Sequence, residues 1–205
     1  MARFIVGEWF SALSLVGLAA LGCRAGGIGD PCIPEDEYQN LFSGYSVEQT
    51  NVESRSFQCE TRICLVNHFQ GRVSCPYGQT QEAISDTSLS GGDEYRCKIP
   101  GTLGEERIDQ VLVAVPAQLA KRRPERAVYC SCRCANAAGG RDDGAKYCYP
   151  CPSGFECTSV VEDLKLQGQA QLAGSYCIKA GTKYKAIAAM ELCQRPDGCG
   201  DAQPY

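Results

Sequence analysis

Fifteen cysteines in 205 residues constrain this chain more than any other feature. Only 8% of the residues are aromatic, so the apolar core is modest for the length. A small core does not offset chain entropy alone, and each native disulfide adds about 2–4 kcal/mol. The density therefore predicts a cross-linked fold, and disulfides persist only outside the reducing cytosol. Fifteen is odd, so complete pairing leaves one cysteine for another task.

The N-terminus points to the same compartment. Met1-Ala2-Arg3 is a short basic start. The run from Trp9 to Gly22 carries no charge and is rich in Leu, Ala and Val. It is shorter than the roughly 20 residues of a membrane span and fits the apolar region of a secretory signal. The run ends at Ala20-Leu21-Gly22-Cys23, which resembles the lipobox of bacterial lipoproteins. Ala20 departs from the leucine usual at that place. The resemblance implies cleavage before Cys23 and a diacylglycerol on its sulfur. Lipidation at Cys23 would also resolve the odd count. Arg24 follows, whereas lipoproteins kept at the inner membrane often carry aspartate there. The resemblance thus implies an outer-membrane lipoprotein, facing the periplasm or the cell surface. The alternative is ordinary cleavage nearby and a soluble secreted protein.

The remaining chain divides by composition. Residues 1–22 read as the signal peptide and 23–31 as a Gly-rich tether to the lipid anchor. Residues 32–100 form an N-terminal cysteine-rich subdomain with Cys32, Cys59, Cys64, Cys75 and Cys97. Residues 101–180 form a second subdomain with Cys130, Cys132, Cys134, Cys148, Cys151, Cys157 and Cys177. The tail, 181–205, holds Cys193 and Cys199. Five cysteines in the first stretch and seven in the second are both odd, so full pairing sends at least one bridge out of the first stretch. The subdomains are therefore expected to be disulfide-coupled.

Alternation and β-branched content predict short strands at 62–66, 72–75, 110–115, 127–133 and 175–178. A hairpin loop at 67–71 joins the first two. Segments 85–93 and 136–146 read as loops, and 184–192 as one short helix. The expected fold is mainly β: small, disulfide-stapled and loop-rich, with short strands and at most one or two short helices.

Several groups of residues invite a chemical reading. Cys130-Ser131-Cys132-Arg133-Cys134 on one strand would align three sulfurs on one face. Their α-carbons would lie about 6.5–7 Å apart, at or beyond disulfide reach, so each should bond a different segment. A metal-thiolate cluster with Cys148 and Cys151 is the alternative. Cys148-Tyr149-Pro150-Cys151 also has the spacing of a redox dithiol, although Pro152 and Gly154 favour a loop over the helix such a pair needs. His68, the one histidine, falls in the hairpin loop. Asp30, Glu35, Asp36 and Glu37 match no calcium loop and read as solvated charge. Lys121-Arg122-Arg123, with Arg126, reads as a solvated loop, or as a contact for anionic polymer or lipid headgroups. A net charge of −4 argues against nucleic acid.

No hydrolase, phosphate-loop or zinc-protease motif is present. The reading that follows is a non-catalytic cell-envelope protein with a structural or protein-interaction role. Its partners would be the membrane, through the lipid, and another envelope protein; no cofactor or metal is expected. The alternative is an extracytoplasmic thiol-redox or metal-thiolate protein.

Overall fold

A computed structural model describes residues 25–85, 96–103, 106–163, 171–185, 191–194 and 199. The expected signal peptide, Cys23, most of the 85–93 loop and the centre of the 184–192 helix lie outside these residues.

The fold is mainly β, in two small antiparallel sheets. The strands are β1 (Thr50–Glu53), β2 (Cys64–Asn67), β3 (Val128–Cys130), β4 (Arg133–Asn136), β5 (Phe155–Val161) and β6 (Gly174–Lys179). The first sheet runs β1-β2-β3 and the second β4-β6-β5. Two short α-helices, α1 (Gln81–Ser85) and α2 (Pro124–Ala127), and the 3-10 turns Glu35–Tyr38 and Arg107–Asp109 complete the elements among the described residues. Pro124 occupies the first turn of α2, where its missing N–H costs nothing.

Both faces of the first sheet are covered. Along β2, Cys64 and Val66 enter one apolar cluster with Phe69, Val73 and Ile33. Leu65, pointing the other way, enters a second cluster with Tyr129, Tyr176 and Ile178. β3 alternates in the same manner, with Val128 and Cys130 on one side and Tyr129 on the other. The second cluster is therefore the layer between the two sheets. Lys179 N–H donates to the Tyr129 hydroxyl at 3.0 Å, a polar tie across it.

The expected strand at 127–133 is corrected. It ends at Cys130, and β4 begins at Arg133. The chain leaves one sheet for the other in between: Ser131 N–H donates to Ile63 O at 3.0 Å, and Cys132 O accepts from Cys177 N–H at 2.9 Å. Cys130, Cys132 and Cys134 consequently do not share one strand face. A register shift separates Arg133 from Ala135 in the β4–β6 pairing. Gly174 lies opposite, with φ +136° and its α-carbon against the Ala135–Asn136 backbone, a position only glycine fills without strain.

The expected strands at 72–75 and 110–115 are also corrected: they are reduced to isolated antiparallel bridges, Arg72 with Cys75, Gln110 with Lys98 and Val115 with Gln79. Val73 and Ser74 N–H donate to the Glu37 carboxylate at 2.5 and 3.0 Å, which removes them from any ladder. The hairpin expected through 67–71 fails with it, and β2 pairs with β1 and β3 instead. Val111 and Val115 are buried as expected, in a separate cluster with Cys75, Cys97 and Ile99. The Gln79 side chain does much of a strand's work there. Its amide donates to Val111 O and Val113 O at 2.9 and 2.7 Å, and its carbonyl accepts from Cys97 N–H at 2.8 Å.

The Gly-rich segment read as a tether is bonded into the domain. Gly26 N–H donates to Gln58 O at 2.7 Å, Gly29 N–H to Cys130 O at 2.8 Å, and Cys130 N–H to Asp30 O at 2.8 Å.

Candidate functional site

All fourteen cysteines from Cys32 onward are in disulfides: Cys32–Cys64, Cys59–Cys130, Cys75–Cys97, Cys132–Cys148, Cys134–Cys157, Cys151–Cys177 and Cys193–Cys199. Cys130, Cys132 and Cys134 bond three different segments. Cys59–Cys130 joins the two cysteine-rich stretches. Its partners are 71 residues apart, the longest loop closed by any of the seven. In the β2–β3 register Cys64 faces Cys130 directly, yet each sulfur turns to a loop cysteine, so the bridges tie loops to sheet.

Cys148 and Cys151 are not bonded to each other. The first joins Cys132 beside β4 and the second joins Cys177 on β6. Among the described residues two groups of sulfurs crowd together within 4.8 Å: Cys32, Cys59 and Cys130, and Cys134, Cys151 and Cys157. Each group is a meeting of two bridges. Metal binding and nucleophilic attack both require thiolate, and these sulfurs are oxidised. Such a disulfide set belongs to a chain folded outside the cytosol.

The four acids near the start do not converge. Asp30 accepts from Gly27 N–H at 2.8 Å, and Asp36 accepts from the Tyr45 hydroxyl at 3.2 Å. Glu37, expected to be solvated, is fully buried. Besides Val73 and Ser74 N–H, it accepts from the Ser74 hydroxyl at 2.7 Å. Arg72, equally buried, lies beside it, its Nε 4.0 Å from the carboxylate. The Arg72 guanidinium donates to Glu37 O, Gln39 O and Phe42 O. Burial raises the Glu37 pKa against the opposing pull of those hydrogen bonds and of Arg72. Desolvation likewise lowers that of Arg72. This pair is a structural tie between the 3-10 turn and the segment after β2.

The basic run leads to a concave site. Lys121, Arg122 and Arg126 line a cavity of about 420 Å³ together with Lys183, Lys185 and Glu191. Arg122, expected in solvent, is anchored by its guanidinium, which donates to His68 O at 3.0 Å, Thr182 O at 2.6 Å and Asn67 O. Tyr184 stacks on His68 with ring centres 4.0 Å apart. Burial pushes the His68 pKa down, opposed by its hydrogen bond to Val47 O and reinforced by Arg122. The contribution of Lys183 and Lys185 was not legible in the sequence, because they lie some sixty positions from the basic run and only the fold brings them together. No helix among the described residues is long and apolar enough to cross a membrane. Compared with known proteins, the chain matches no protein-family model, no curated protein and no solved structure.

Proposed function

We propose that the chain is a non-catalytic lipoprotein of the bacterial cell envelope, held at the outer membrane by a lipid on Cys23. Its stapled domain would serve a structural or protein-interaction role. One observation carries this reading: the fourteen cysteines of the folded part pair among themselves, which leaves Cys23 as the odd thiol of the fifteen. That cysteine closes the lipobox-like Ala20-Leu21-Gly22-Cys23. The commitment of Cys148 and Cys151 to separate bridges favours a structural over a redox role. Gly26 is already part of the domain, and three residues of chain reach at most about 10 Å, so a lipid at Cys23 would hold the domain against the membrane surface.

Cys23→Ser tests the proposal in the expressing cell. The wild-type chain is expected in the detergent-rich phase after phase separation of membranes, and the variant in the aqueous phase, because acyl chains anchor at about 0.8 kcal/mol per buried methylene. Equal partition of the two would contradict the lipid anchor.

A further inference from the structure

The basic cavity lies outside everything that the envelope reading uses. Among the described residues five cations line it, Lys121, Arg122, Arg126, Lys183 and Lys185, against one carboxylate, that of Glu191. The chain as a whole is acidic, with a net charge of −4. Isolated surface lysines are ordinary, and a run of them is usually a solvated face. Three features separate this cluster from such a face.

The charges converge on a concavity from two distant segments, one leading into α2 and the other following β6. The convergence is also enforced, because the Arg122 guanidinium bonds the Thr182 carbonyl and so locks the two segments together. Further, Arg122 is a half-buried cation whose nitrogens meet only neutral carbonyl oxygens. The ionisable groups that act on it are Tyr129, Arg126, Tyr184 and His68, and among the described residues it forms no ion pair, not even with Glu191 on the same cavity wall. A desolvated charge without a counter-charge is costly, and a bound anion would remove that cost. Finally, Lys121, Arg126, Lys183 and Lys185 enter no ion pair among the described residues, which leaves their donors available to a ligand.

From this geometry we infer that the cavity is a binding site for a phosphate-bearing anion. A single carboxylate would be matched by one bidentate arginine. An excess of four positive charges among the described lining residues suits the denser charge of a phosphomonoester or diphosphate, which offers three or more acceptor oxygens per group. Arg122, held by the backbone, supplies fixed positive potential. Arg126 and the lysines supply the direct donors. Glu191 and, among the other lining residues, Leu119 and Tyr184 give a hydroxyl-accepting and an apolar wall, as a phosphorylated sugar would require. The phosphate could belong to a lipid headgroup or to a free small molecule; the chemistry at the cavity is the same. The site does not depend on a lipid at Cys23.

The test is calorimetric titration of the full chain, purified in a neutral detergent, with inorganic pyrophosphate. Saturable binding that weakens as salt is raised is expected. Lys183→Gln with Lys185→Gln should weaken it at least about tenfold, since two charge-assisted hydrogen-bond donors are lost. Lys146→Gln, an exposed charge outside the cavity, should leave binding unchanged. Resistance to protease checks that the variants are folded. Micelles doped with phosphatidic acid, against micelles doped with phosphatidylcholine, distinguish the sources. Displacement of pyrophosphate by phosphatidic acid alone identifies a headgroup site; retention of pyrophosphate identifies a free phosphate. Absence of binding to both pyrophosphate and phosphatidic acid would overturn the inference. So would binding that the double lysine variant leaves intact.

Discussion

Reduction of the disulfides should unfold the mature domain outright. Cys32, Cys59, Cys64 and Cys130 are members of the principal apolar cluster, not ornaments around it. The satellite cluster is likewise built on Cys75 and Cys97. Opening a bridge therefore frees the chain and also loosens the packing it sits in. In the chain-entropy account the 71-residue separation of Cys59 and Cys130 alone corresponds to about 4 kcal/mol. Net stabilities of folded domains are typically about 5–15 kcal/mol, so loss of several bridges exceeds what remains. The strands, three to seven residues long, offer little that survives. The single tryptophan is Trp9, in the proposed signal peptide, so near-ultraviolet dichroism of the tyrosines is the appropriate probe. With reductant that signal should collapse and protease should digest the domain. Equal protease resistance with and without reductant would mean that apolar packing carries the fold.

Glu37→Gln should produce the largest loss of any single conservative substitution, about 3 kcal/mol by urea unfolding with the disulfides intact. Both carboxylate oxygens accept backbone N–H groups, one from Val73 and the other from Ser74. A glutamine amide offers one acceptor, so its NH₂ must oppose one of those donors in either orientation. A buried unsatisfied donor costs about 1–3 kcal/mol, and a buried cation deprived of its partner more. Arg72 Nε has no hydrogen-bond partner and faces the carboxylate at 4.0 Å. The pH dependence has a defined sign. Burial raises the Glu37 pKa above its ordinary value, so the folded form holds its proton more tightly than the unfolded. Its contribution is fully present below the ordinary glutamate pKa and is lost as pH rises through the raised one. The Gln variant lacks that dependence. An unchanged urea midpoint would show that the pair is incidental to stability.

The fold class was legible because it depends on composition and local pattern. Cysteine density, short β-branched runs and frequent turns point to small sheets held by bridges. β2 and β6 lie where alternation indicated them, and Cys130, Cys132 and Cys134 do have separate partners, although the single strand that the reach argument assumed breaks at Ser131–Cys132. The failures share one physical cause. Where a buried side chain takes the place of a neighbouring strand, no local pattern records it. Gln79 takes up the carbonyls of 111 and 113, and Glu37 takes up the amides of 73 and 74. Both segments have strand-like residues without becoming strands. The break at Ser131–Cys132 arises from a change of sheet, a tertiary event. Arg122 and Glu37 were read as solvent-facing for the same reason: nothing in their neighbourhoods encodes the carbonyls and amides that bury them. The basic cavity shows both limits, with three of its five cations in a recognisable run and the other two supplied from beyond β6.

In the proposed arrangement fourteen cysteines staple the domain and the fifteenth carries a lipid. That arrangement is tested most directly by mass spectrometry of the protein extracted from membranes and alkylated without reduction. The account predicts an N-terminus at Cys23 bearing acyl mass, no alkylated cysteine, and peptides linked as Cys59–Cys130 and Cys151–Cys177. An unmodified Cys23 thiol, or a Cys148–Cys151 bridge with its former partners free, would contradict it.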